Sequence, residues 1–367
     1  MEGMALHAFH EALGARFGAV GGGEGVLSYG DWRREHRALR SAAAAIDLSA
    51  RGRLVLLGAD RQKFLNGQVT NNVKELATWS GCHALLVNPK ARVLADMQVY
   101  ALPNELLLDV EPGLGPVVAA RLEQFVVGED VQVVDAAPHY GLLGVQGLRA
   151  DRVVEALGLV SALPSGALEV RTQEVAGVGE VYVARHERVG LRGYDLYVPT
   201  GSMVEVAERL SGALAEIGGG WCGWEAFEVA RVEAGIPRYG ADIDETNLAP
   251  EAGVTERAIS YTKGCYIGQE VIARIRTYGQ VTKALRGLRL TGAGEERPGR
   301  GTRLFHGGKD VGYLTSVVES PERGEVVGLG YVRKECNGPG TRLRVGVPDG
   351  AVEAEIVPLP LVGVQWA

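Results

Sequence analysis

The chain has 367 residues, 46% of them hydrophobic and 23% charged, with a net charge of −7, which fits a globular protein of two or three domains and excludes low-complexity or collagen-like readings of its 52 scattered glycines. The acidic balance argues against direct binding of nucleic acid, whose phosphates demand clustered Lys and Arg. No apolar run reaches the length of a membrane helix, no signal peptide pattern opens the chain, and four widely spaced cysteines point to a reducing cytoplasm.

In chain order, "MEGMALHAFHEALGARFG" is amphipathic, and His7 and His10 read as surface residues. The cluster "GGGEG" (21–25) has no strand before it and reads as a loop, not a nucleotide fingerprint. The spacing predicts one helix across "SYGDWRREHRALRSAAAAIDLS" (28–49), capped by Asp31 and striped by Leu39, Ala42 and Ile46. A strand (51–59) and a short helix capped by Asp60 follow. "CHALLVNPKARVLADMQVYAL" (82–102) reads as a hairpin turning at Asn88-Pro89. Asp96 is expected to face away from the apolar Leu94, where its carboxylate could anchor an amine or a ring N–H. Strands and helices then alternate irregularly to residue 218, which suggests α+β rather than a doubly wound sheet. Residues 231–253, "RVEAGIPRYGADIDETNLAPEAG", read as a long acidic loop, since Pro237 and Pro250 oppose a helix. From about residue 283 short strands joined by Gly, Pro and Asn turns predict a small β-barrel, so the expected division is 1–282 and 283–367.

Chemistry concentrates at "YTKGCYIGQE" (261–270). "GQEVIARIR" (268–276) reads as a helix start, which places Cys265 just ahead of a helix N-terminus and beside Lys263. Both features favour thiolate, so Cys265 is a candidate working thiol; a small buried cysteine in a strand-to-helix turn is the alternative. No nucleophile elbow, HExxH or P-loop pattern occurs, and no Cys or His spacing suggests a metal site.

"KGCYIGQE", preceded by "RVEAGIPRYGADIDETNLAPEAG" and by "FLNGQVTNNV" (64–73), resembles the signature of the YgfZ family, folate-binding proteins of iron–sulfur cluster maintenance. The latter two segments are also akin to the glycine cleavage T-protein, a tetrahydrofolate-dependent aminomethyltransferase. The resemblance spans roughly residues 35 to 340. It implies an α+β cloverleaf of two intertwined subdomains around a folate cavity, with a C-terminal β-barrel. It further implies tetrahydrofolate or a derivative as cofactor, iron–sulfur client or assembly proteins as partners, and an indirect link to tRNA modification. Asp96 falls where the T-protein has a carboxylate near the reactive folate nitrogens, and Asp195 where it has a glutamate that reads the pterin ring. Arg231 and Tyr239 match positions near the substrate end of that cavity, and Lys263 and Gln269 belong to the motif itself. The chain departs from the T-protein at Leu191 and Arg192, which replace acidic residues, and at Cys265. Two functions are therefore expected: an accessory protein of iron–sulfur assembly or repair with Cys265 as its thiol, or an aminomethyltransferase or demethylase with Asp96 at the folate amine.

Overall fold

The computed structural model describes residues 4–279, 281–294 and 297–363. Two sheets form the body, antiparallel except for one parallel pair at the edge of the second, and a closed barrel follows them. The first sheet has five strands in the order Ser80–Val87, Val93–Ala101, Leu106–Val110, Gly52–Leu57 and Gln132–Asp135. The second has six: Val170–Val175, Gly179–Arg185, Gly193–Pro199, Tyr140–Gln146, Ala44–Asp47 and Gly220–Trp221. Ala44–Asp47 precedes every strand of the first sheet in sequence yet belongs to the second. The two halves are intertwined for that reason.

The sheets meet through a shared apolar layer that includes Ile46, Val55, Tyr100, Leu107, Leu142 and Tyr197. Their outer faces are covered separately: Phe64, Leu65, Val118 and Leu122 from helices pack on the first, and Val153, Val206 and Leu210 on the second.

The single helix expected over 28–49 is two elements. Asp31 does cap a helix, Trp32–Ser41, its carboxylate accepting from the Arg33 and Arg34 amides at 3.0 and 3.2 Å. The alanine run after it is the strand Ala44–Asp47, buried at all four positions. Alanine favours helix by propensity, but a continuous apolar run also suits a strand covered on both faces, and tertiary burial decides here. The loop expected at 21–25 is the turn and second arm of a hairpin, Arg16–Val20 with Gly23–Ser28, whose reversal uses positive φ at Gly21 and Gly22. His10, expected at the surface, is fully buried between Asp47 and Tyr29 at 3.1 and 2.8 Å.

The barrel closes in the order Lys283–Thr291, Glu325–Arg333, Lys309–Ser320, Arg303–His306, Arg342–Val345, Glu353–Val357. The residues 231–253 dock it. Although acidic, this loop is not solvated: Glu233, Asp242 and Glu251 are buried. Glu233 accepts from His36, Arg40 and Ser320 at 2.8, 2.6 and 2.5 Å. Asp242 takes Thr315 and Ser316 of the barrel at 2.5 and 2.8 Å.

Candidate functional site

A cavity of about 420 Å³ opens where the two sheets meet the helix Trp224–Glu233. Asp96 and Gln98 of one strand face it, together with His83 on the neighbouring strand. Residues two apart on a regular strand share a face, so Leu94 should accompany Asp96. It does not, because the ladder slips between Leu86 and Val87 and leaves Leu94 as an extra residue. Leu94 packs into the core behind the sheet, and Asp96 faces the cavity. Asp96 Oδ1 lies 2.8 Å from His83 Nε2. Burial works to raise the pKa of Asp96, but His83, Arg257 and Arg51 outweigh it and hold the carboxyl below its ordinary range. Asp96 is thus an ionised acceptor inside a cavity.

The opposite wall is an ion-pair network. Arg51 Nε donates to Asp109 at 2.6 Å, and its other nitrogen pairs with Glu111. Arg188 bridges Asp109 and Asp195, meeting the Asp195 oxygens at 2.8 and 2.7 Å. His186 Nδ1 lies 2.9 Å from Asp195. Burial pushes Asp109 and Asp195 up, yet the arginines more than reverse this, and both carboxyls sit below their ordinary value. Asp109, His186 and Asp195 bring ligand-type atoms within 4.8 Å of one another. The Arg188 guanidinium already takes both carboxylates of that group.

The resemblance implied a pterin-reading role for Asp195. Its carboxylate is fully buried behind Arg188 and His186 and does not line the cavity. Arg231 does line it, but both terminal nitrogens are committed, to Asp242, Glu228, the Ile236 carbonyl at 3.1 Å and Ser316 at 2.7 Å. Tyr239 packs with Ile243 and its neighbours outside the cavity lining.

Lys263 is buried, and its ammonium bonds backbone carbonyls rather than Cys265. It donates to the carbonyls of Asn66, Val69 and Asn71 at 2.6, 2.7 and 2.6 Å. Burial presses its pKa down to about 7, while three acceptors match the three protons of an ammonium. The lysine therefore clips "KGC" to the "FLNGQVTNN" segment. Cys265 is exposed and lies outside the cavity lining. It precedes the helix Gln269–Tyr278, from which Gly268, at φ 82°, separates it. That glycine is required: a Cβ there would lie 2.7 Å from the Asn88 carbonyl. Gln269 begins the helix, half-buried and away from the cavity. Cys82, the cysteine that does line the cavity, packs toward the core and is pushed up to about 12 by burial, although Lys263 acts in the other direction.

The sequence motifs thus divide. Asp96 and Arg231 reach the cavity; Asp195, Tyr239, Lys263, Gln269 and Cys265 do not line it. His83, Arg188 and Arg257 line it and were not singled out by any sequence pattern, although His83 lies on the same face as Asp96 across one ladder step.

Residues 6–263 match the GCVT N-terminal domain, and residues 283–362 match the glycine cleavage T-protein C-terminal barrel domain. An aminomethyltransferase of Halothermothrix orenii is 28% identical over 97% of this chain and 99% of its own. One from Rubrobacter xylanophilus is 29% identical over 97% of this chain and 92% of its own. The crystal structure of the glycine cleavage system aminomethyltransferase T from Bartonella henselae superposes with a TM-score of 0.88. It is 24% identical and covers 100% of this chain and 99% of its own. The fold is therefore aminomethyltransferase-like, with its C-terminal six-stranded barrel. Among the described residues no helix is long and apolar enough to cross a membrane.

Proposed function

This chain belongs to the family of the GCVT N-terminal domain and its T-protein barrel, and from that premise we propose that it binds a reduced folate in the central cavity and transfers a one-carbon unit there. The observation that carries the reading is Asp96, an ionised carboxylate oriented by His83 and presented to a cavity of about 420 Å³. That volume suits a ligand of folate size, and the lining mixes Phe227 and Leu168 with converging polar groups. When bound, a tetrahydrofolate supplies the amine nitrogen that takes up the one-carbon unit. Asp96 accepts a hydrogen bond from that amine and can take its proton. His83 fixes the direction of the carboxylate. The buried network of Arg51, Asp109, Arg188 and Asp195 braces one wall, and Phe227 and Leu168 give the cavity apolar lining. Named relatives that are aminomethyltransferases support this reading over others.

Its test is turnover of tetrahydrofolate with an amine or methyl donor, by purified wild type and by Asp96→Asn. A loss of roughly 10²- to 10⁴-fold is expected for the variant, the usual contribution of one positioned proton acceptor. Full activity in the variant would sink the reading.

A second reading, folate-dependent maintenance of iron–sulfur enzymes, rests on Cys265. It is the one exposed cysteine of the four, on a tightly clipped turn, where a partner protein can reach it. One thiolate does not hold a cluster, so a client or assembly protein would supply the other ligands. In a deletion strain under oxidative stress, wild type but not Cys265→Ser should restore an enzyme dependent on a [4Fe–4S] cluster. Equal rescue by both removes the thiol from the function.

A further inference from the structure

Six arginines line the cavity: Arg51, Arg185, Arg188, Arg231, Arg238 and Arg257. Five are neutralised by the protein. Arg51 pairs with Asp109 and Glu111, Arg185 with Glu187, and Arg188 with Asp109 and Asp195. Arg231 pairs with Asp242 and Glu228, and Arg238 faces Glu111 and Glu228 at 3.3 and 3.5 Å. Arg257 is different. Among the described residues its side chain makes no hydrogen bond and no ion pair, although its backbone carbonyl accepts from Asn71. It projects from the short turn Thr255–Ala258, near enough to Asp96 for each charge to act on the other, yet not in contact with it.

Arg257 is exposed to solvent and lines the cavity, so its guanidinium is held by water and is free to exchange that water for a ligand. A guanidinium cannot give up its proton, and its planar fork matches a carboxylate in two parallel hydrogen bonds. We infer that Arg257 is the carboxylate-binding residue of this cavity: a ligand whose amine reaches Asp96 presents an acid group to Arg257. The geometry pairs an anionic acceptor for an amine with a cationic donor for an acid in one chamber. The identity of that acid rests on the folate reading. It is either the glutamate carboxylate of the folate itself or the carboxylate of a separate small amino acid that carries the one-carbon unit.

The test compares wild type and Arg257→Gln by calorimetry with three probes. The first is tetrahydrofolate, the second 6-methyltetrahydropterin, which has the reduced ring and no carboxylate, and the third N-methylglycine added to the pterin-loaded protein. A charge-assisted bidentate contact predicts a tenfold to hundredfold loss of affinity. If that loss appears for tetrahydrofolate and not for the pterin, the acid is the folate tail. If both pterins bind equally well to both proteins and only N-methylglycine is lost, the acid belongs to a small donor. Unchanged affinity for all three overturns the inference, as does an equal loss for both pterins. If wild type takes up neither pterin, the folate reading fails. Arg257 is then judged by N-methylglycine alone, and equal binding to wild type and variant overturns it. Because Arg257 donates to no protein group, Arg257→Gln should keep its thermal midpoint, which separates lost binding from lost structure.

Discussion

The two walls of the cavity are built from the same residue types and use them in opposite ways. On one side, Asp109 and Asp195 share Arg51, Arg188 and His186 in a closed network with every charge opposed. On the other, among the described residues, Asp96 is bonded by His83 alone and the Arg257 side chain has no hydrogen-bond or ion-pair partner. Charge by itself therefore does not mark a functional group in this molecule. Spare bonding capacity facing a cavity does, since a carboxylate whose oxygens are both taken by arginine has nothing to offer a ligand.

This contrast can be broken by substitution. Removing one partner from the closed wall strands buried charge, so Arg188→Met should cost about 3–5 kcal/mol of unfolding free energy in urea titration. Lys263→Met deletes three donors to carbonyls and should cost about 2–3 kcal/mol by the same measurement, with the cavity residues untouched. Asp96→Asn keeps shape and a contact to His83. It should change stability by less than about 1 kcal/mol while lowering turnover by roughly 10²- to 10⁴-fold, the reverse of the Arg188 result. The smallest effect is in pH. Asp109 and Asp195 have depressed folded pKa values, so their contribution is fully present above the unfolded carboxylate range, near pH 4, and is lost as pH falls below it. Acid titration of wild type should show this decline, and Arg188→Met should show less of it. An equal decline in both would mean the network does not set those protonation states.

Local patterning made the helix at Trp32, the hairpin carrying Asp96 and the barrel strands legible in the sequence, because each depends on period, caps and turn residues close in the chain. Gly307-Gly308, both at positive φ, forms one of the expected glycine turns, between the barrel strands Arg303–His306 and Lys309–Ser320. The alanine strand was not legible, since its conformation is set by burial between elements far away in sequence. Nor was the closed network: Asp109 and Arg188 stand 79 positions apart and meet only after two sheets pack. The role of Lys263 was hidden for a similar reason, as its partners are backbone carbonyls, which every sequence possesses. Asp96 was legible as a carboxylate on a hairpin, but its exposure to the cavity depends on a one-residue slip in the ladder.

The docking of the barrel has a consequence for how the chain comes apart. Asp242 holds Arg231 from the body with one oxygen and Thr315 and Ser316 from the barrel with the other, while Glu233 joins His36 and Arg40 to Ser320. Pulling the barrel away would leave these carboxylates short of partners in an apolar setting. These bonds tie the barrel to the helix that carries Arg231 into the cavity wall, so the two are expected to loosen together.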